Sequence, residues 1–104
     1  MKATPTPPRV GIIGAGLIGC AWAHVFARGG AVVQVWDPSP AQRDSAAARI
    51  HQSLTELARH GLVADAEASA ARVTVTDTLA AAVENVAYVQ ESGPETLEVK
   101  TAVF

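Results

Sequence analysis

The sequence predicts an α/β domain, a parallel sheet in strand order 3-2-1-4 with helices on both faces. Three observations carry that prediction. Four short apolar or alternating runs are separated by helical segments; a glycine-rich turn, Gly14, Gly16 and Gly19, joins the first run to the first helix; and an acid, Asp37, closes the second run 18 residues after Gly19. Strands alternating with helices pair in parallel, and right-handed crossovers leave this order as the simple solution.

Val10, Ile12 and Ile13 make a short β-branched run suited to a strand covered on both faces. The first helix is expected to start near Gly16, to bury a face of Ile18, Trp22, Val25, Phe26 and Gly29, and to stop at Gly29-Gly30. Val32, Val33, Val35 and Trp36 form the second strand. Pro38, Ser39 and Pro40 make a rigid turn with Ser39 as N-cap, ahead of a long helix over residues 41–60 ended by Gly61. Its apolar stripe is Ile50, Leu54 and Leu57 with Ala47 and Ala58, and Arg43, Asp44, Arg49, Gln52, Glu56 and Arg59 are expected to face water. Residues 62–71 read as a loop or a further helical turn. Residues 72–76 alternate with period two as a third strand, 79–84 form a short helix, 86–90 a fourth strand and 91–94 a turn. Residues 95–104 look like a helix start, with Glu95 and Glu98 where the dipole favours acids.

The same parts describe a βαβ unit that holds a dinucleotide. Gly14 permits the tight turn out of the strand, Gly16 lets the backbone approach a pyrophosphate, and Gly19 lets the helix pack closely on the sheet. The helix N-terminus would offer its free N–H groups and dipole to the phosphates, so binding needs no basic side chain. Asp37 stands where an acid hydrogen-bonds the ribose 2′-hydroxyl, which favours NAD over NADP, no arginine following directly. FAD sites share the fingerprint and remain an alternative. The order of the sheet reverses between strands 1 and 4, so the crevice brings Gly14 to Gly19 together with Glu91 to Glu95.

At 104 residues with 49% hydrophobic content, residues 9–104 make one domain behind a Pro-rich, unstructured lead-in of residues 1–8. A net charge of −2 with scattered basic residues argues against nucleic acid or an anionic membrane. The single cysteine allows no intrachain disulfide or structural zinc site and fits a cytoplasmic location. Neither a signal peptide nor an apolar run long enough to span a bilayer is seen. Cys20 reads as a small packed residue, His24, His51 and His60 as structural histidines without metal-ligand spacing, and Trp22 and Trp36 as core residues, Trp36 also beside the adenine pocket.

GIIGAGLIGCAWAHVFARGGAVVQVWD, a long helix after the acid, and VQESGPETLEVKTAVF together resemble the N-terminal domain of the L-3-hydroxyacyl-CoA dehydrogenase superfamily from Val10 onward. Trp22, the Gly29-Gly30 pair and Val89 to Ser92 are more similar to its lambda-crystallin and L-gulonate 3-dehydrogenase branch, with carnitine dehydrogenase nearby. The resemblance implies cofactor contacts at Gly14, Ala15, Gly16, Leu17, Ile18, Gly19 and Asp37, and at Glu95 and Lys100, and a substrate-side contact at Ser53. It departs at His60, where the acyl-CoA enzymes have a CoA-contacting lysine, which favours a smaller hydroxy acid over an acyl-CoA. It places the catalytic histidine, its glutamate and a dimer-forming helical domain beyond Phe104, leaving no catalytic residue in this chain. The expected function is hydride transfer between NAD and a secondary hydroxyl; the alternative is a non-catalytic nucleotide-binding or crystallin-like structural protein.

Overall fold

A computed structural model of the protein describes residues 6–92. The elements run β1 (Arg9–Ile13), α1 (Leu17–Arg28), β2 (Val32–Trp36), α2 (Pro40–Arg59), α3 (Ala66–Ala70), β3 (Val73–Val75), α4 (Leu79–Val83) and β4 (Tyr88–Glu91). The four strands form one parallel sheet in the order β3-β2-β1-β4. Ile13, the last residue of β1, stands opposite Trp36 on one side and Glu91 on the other, so three strands end level at the glycine turn.

Alternation along the strands assigns the two faces. Val10 and Ile12 of β1 and Val33 and Val35 of β2 bury into a core shared with Ala23 and Ala27 of α1 and Ala46, Ile50 and Leu54 of α2. Ile12, Val33, Val35, Ile50 and Leu54 are its largest fully buried side chains, each worth roughly 1.5–3 kcal/mol of burial. The residues between them point the other way, toward α4. A Cβ on Gly11 would lie 2.7 Å from the Ala82 carbonyl oxygen, so this helix rides directly on the β1 backbone. Beside it, the buried Gln34 of β2 donates its Nε2 to the carbonyls of Ala81 (2.8 Å), Ala82 (3.0 Å) and Glu84 (3.3 Å), while its Oε1 accepts from Arg9. A polar strand residue thereby satisfies the orphan carbonyls that end a five-residue helix.

Ser39 caps α2 as expected. The Ser39 hydroxyl accepts from the Gln42 amide with Pro40 at the first helical position, and Asp65 and Thr78 cap α3 and α4 in the same way. Pro8 already belongs to the sheet, its carbonyl accepting from Val32, so the lead-in is anchored before residue 9. Within the segment at 62–71, Ala66–Ala70 forms α3.

Three expectations are corrected. The fully buried face of α1 is Gly19, Cys20, Ala23 and Ala27, and of the expected large residues Ile18, Trp22 and Val25 are exposed. A helix lying this close to a sheet leaves no depth for long side chains, so the small ones turn inward. Phe26 is half-buried and packs against the core as expected, its ring tilted against those of Trp22 and of Tyr88 of β4, whereas Trp22 is exposed and not a core residue, and Trp36 is half-buried. On α2 it is Ala46 that is buried and Ala47 that faces solvent. Arg43 and Arg49 do not face water; both are half-buried and fold back toward the end of the sheet.

Candidate cofactor site

The turn after β1 is built by three glycines, each required by a different agent. Gly14 sits at φ 112°, left-handed backbone that costs an L-residue strain, and its amide closes onto the Trp36 carbonyl at 2.7 Å. Gly19, in the first turn of α1, has φ in the helical range, but a Cβ there would lie 1.8 Å from the Gly14 carbonyl oxygen and 2.7 Å from its carbon. Packing alone forbids it. Gly16, the N-cap of α1, has an ordinary extended backbone, φ −76° and ψ −163°, and a Cβ would meet only the Gln42 Nε2 at 3.5 Å, an ordinary contact. Neither conformation nor packing among the described residues requires glycine there. What the missing Cβ leaves is a cradle against the backbone at a helix N-terminus with no acid in its first turn, which fits a pyrophosphate.

The peptide of Ala15, between the first two glycines, is gripped from both sides. Its N–H donates to Asp37 Oδ2 at 2.7 Å, and its carbonyl accepts from Arg49 Nη1 at 3.3 Å and from the Cys20 thiol at 3.3 Å. Asp37 Oδ1 accepts the amide of Ser39 at 2.8 Å, so both carboxylate oxygens are aligned by backbone donors at the end of β2. Arg43 Nη1 donates to the Asp37 carbonyl at 2.8 Å, and Arg49 Nη1 also donates to Gln42 Oε1 at 2.9 Å. Two basic side chains therefore stand at the turn, both engaged with backbone carbonyls. No arginine follows Asp37 directly, yet Arg43, in the first turn of α2, comes back onto it.

The opposite lip is the end of β4. The Ser92 amide donates to the Ile13 carbonyl at 2.7 Å, and Glu91 and Ser92 are both buried. The Ser92 Oγ is buried without a hydrogen-bond partner among the described residues, and its Cβ lies 3.6 Å from where a Gly19 Cβ would be. An orphaned hydroxyl at the rim of the cradle fits a site that a polar ligand completes.

The structure thus brings Gly14, Ala15, Gly16, Leu17, Ile18, Gly19, Asp37 and Glu91 to one end of the sheet. Ala15 is fully buried with its amide committed to Asp37, whereas Leu17 and Ile18 are exposed at the helix start. Glu95 and Lys100 lie outside the described residues. Ser53 lines a groove of about 450 Å³ between α1 and α2 with His24, Gln52, Glu56 and Leu57. A smaller hollow sharing His24, Gln52 and Ser53 continues it to Leu17, Cys20 and Arg49, so Ser53 communicates with the turn. His60, at the end of α2, is exposed and pairs with Glu56.

Cys20 is the packed residue expected. Burial raises its thiol pKa, the Arg49 guanidinium opposing that in part. His24 has its pKa lowered, by burial first and by the neighbouring Arg28 second. Among the described residues no group of three or more His, Cys, Asp or Glu could hold a metal ion, and no helix is long and apolar enough to cross a membrane. The residues that a reading of sequence missed here are Gln42, Arg43 and Arg49. The spacing of Gln42 and Arg49 puts them on one helix face, with Arg43 to its side, but nothing in it says that the face turns toward α1.

Comparison with known proteins agrees with this geometry. The family described as "3-hydroxyacyl-CoA dehydrogenase, NAD binding domain" matches residues 9–104. An L-carnitine dehydrogenase of Streptomyces coelicolor is 44% identical over 93 residues, covering 88% of this chain and 28% of that protein. Lambda-crystallin of Oryctolagus cuniculus is 35% identical over 105 residues, covering 98% and 33%. The crystal structure of an (S)-3-hydroxybutyryl-CoA dehydrogenase from Ralstonia eutropha superposes with a TM-score of 0.81 at 26% identity, covering 94% of this chain and 35% of that one. The chain spans about a third of the length of these relatives.

Proposed function

From a chain that belongs to the NAD-binding domain family of the 3-hydroxyacyl-CoA dehydrogenases, we propose the cofactor half of a dehydrogenase acting on the secondary hydroxyl of a hydroxy acid. Bound NAD supplies the hydride acceptor at its nicotinamide. The chain's own task is placement. The N–H groups after Gly16 hold the pyrophosphate, Asp37 takes the adenosine ribose hydroxyls, and the Glu91 lip borders the nicotinamide end; Glu95 and Lys100 are cofactor contacts by resemblance to the family. The observation that carries the reading is Gly16, a glycine for which the protein itself has no use and which a close-lying dinucleotide explains.

A small hydroxy acid is favoured over a hydroxyacyl-CoA by the groove at Ser53. Its wall carries the Glu56 carboxylate and, one turn on, the exposed His60 paired to that same acid, a poor surface for the phosphates of CoA. The proposal includes a cytoplasmic, homodimeric protein whose catalytic histidine is contributed by a further domain. The test is calorimetry of this chain with NAD and NADP, followed by a dehydrogenase assay of a longer protein bearing this domain against gulonate, carnitine, 3-hydroxybutyrate and 3-hydroxyacyl-CoA. Binding of NAD with turnover of a free hydroxy acid supports the reading. Turnover of the acyl-CoA alone overturns the substrate class, and NAD binding without turnover of any of them favours a non-catalytic, crystallin-like role.

A further inference from the structure

We propose that Gln42 is a cofactor contact: its side-chain amide donates a hydrogen bond to the pyrophosphate lodged at Gly16, and Arg49 is the residue that aims it. The inference rests on NAD occupying the glycine turn. Gln42 lies in the first turn of α2, and among the described residues, Gly16's own chain neighbours aside, its Nε2 is the one atom within 4 Å of the space that a Gly16 Cβ would fill. That space is the cradle left open for the phosphates. A side-chain amide can present either its oxygen or its nitrogen, and only the nitrogen is useful to an anion. Arg49 settles which. A guanidinium has donors and no acceptor, so the Gln42 Oε1 must turn toward Arg49 Nη1, at 2.9 Å, and the NH₂ group must turn toward Gly16. Gln42 Nε2 donates to nothing else among the described residues, so its protons are available to a ligand.

Arg49 is itself fixed. The same Nη1 donates to the Ala15 carbonyl, whose peptide is held on its other side by Asp37. Gln42 and Arg49 are two turns apart on one face of α2, so this face stands over the turn as a second wall of the phosphate site, set before the ligand arrives. Arg49 acts through Gln42 as a positioning residue, holding the amide oxygen so that the NH₂ group faces the cradle.

The test is calorimetry of the 104-residue chain with NAD and ADP-ribose, with an NMR titration of adenosine, which lacks phosphate, as the internal control. Gln42→Met keeps the length of the side chain and removes the donor; Gln42→Glu keeps the Arg49 partner and reverses the ligand-facing charge. The expected result is a loss of about tenfold for NAD and ADP-ribose in the Met variant and a larger loss in the Glu variant, with adenosine binding and the thermal midpoint unchanged. Arg49→Ala weakens ADP-ribose in the wild-type background and much less in Gln42→Met, because its effect runs through the amide. A Met variant that binds ADP-ribose like the wild type overturns the proposal, as does a parallel loss of adenosine. An Arg49→Ala loss of the same size in both backgrounds overturns the positioning role. A wild-type chain that binds neither NAD nor ADP-ribose overturns the cofactor reading itself, a result distinct from the other three.

Discussion

Replacing Gly16 by alanine separates what the ligand needs from what the fold needs. The backbone at Gly16 is extended and in reach of any residue, and the added methyl would touch only the end of a flexible glutamine at 3.5 Å. Folding stability should therefore hold, or rise by up to about 0.4–1 kcal/mol as the unfolded chain loses freedom. The methyl would, however, stand in the cradle and push the pyrophosphate off the amides of α1. Losing a single hydrogen bond to a charged group costs about 1.5–3 kcal/mol, so NAD affinity should fall at least about tenfold. Gly19→Ala is the counterpart: its methyl would lie 1.8 Å from a backbone oxygen that no rotamer can move. Overpacking of that kind costs about 1–3 kcal/mol or more, and about 3 kcal/mol in a domain this size corresponds to a thermal midpoint lower by more than about 10 °C. Thermal unfolding followed by circular dichroism gives the first quantity and calorimetry with NAD the second. Gly16→Ala binding NAD at wild-type strength would refute the assignment of the cradle, and so would a loss of fold equal to that of Gly19→Ala.

Three further outcomes follow from the geometry. Asp37→Ala removes acceptors from two backbone amides and should cost about 2–3 kcal/mol in urea unfolding while narrowing the preference for NAD over NADP; unchanged stability would mean that the Ala15 and Ser39 bonds contribute nothing. Gln34→Leu strips the donors from the end of α4 and should cost about 1–3 kcal/mol, with amide exchange speeding up first in residues 79–84, and uniform exchange would contradict this. The lowered pKa of His24 means that the unfolded chain binds a proton there before the folded one does, so the wild type should lose stability as pH falls below about 6.5, and His24→Gln should lose less over the same range. Parallel pH profiles for the two proteins would count against that assignment.

How far the sequence could be read depended on whether a feature is local. Val10 to Ile13, the glycines and Asp37 carry their signal within a few residues, because strand run, turn and closing acid are each set by backbone geometry; the sheet order then follows from crossover handedness. The face that α1 buries is not local. Its hydrophobic spacing pointed to Ile18, Trp22 and Val25, but the Gly19–Gly14 contact draws the helix so near the sheet that only Cys20, Ala23 and Ala27 fit beneath it. Arg43 and Arg49 look like solvated helix residues until α2 is docked beside α1, and Gln34 looks like a lapse in an apolar strand until α4 ends above it. Gly11 passes for an ordinary strand residue for the same reason. For Arg49, Gln34 and Gly11 the deciding neighbour is more than thirty residues away.

The three glycines of the turn also form a record that outlasts the function. Two answer to the chain itself, one through its dihedral angle and the other through a backbone oxygen, and any descendant that folds this way must keep both. The middle one answers to a visitor. Were a lineage to abandon the dinucleotide and keep the domain as scaffold, Gly16 would be released to drift first while Gly14 and Gly19 stayed, so inspection of that single column would separate working sites from retired ones before any protein is purified.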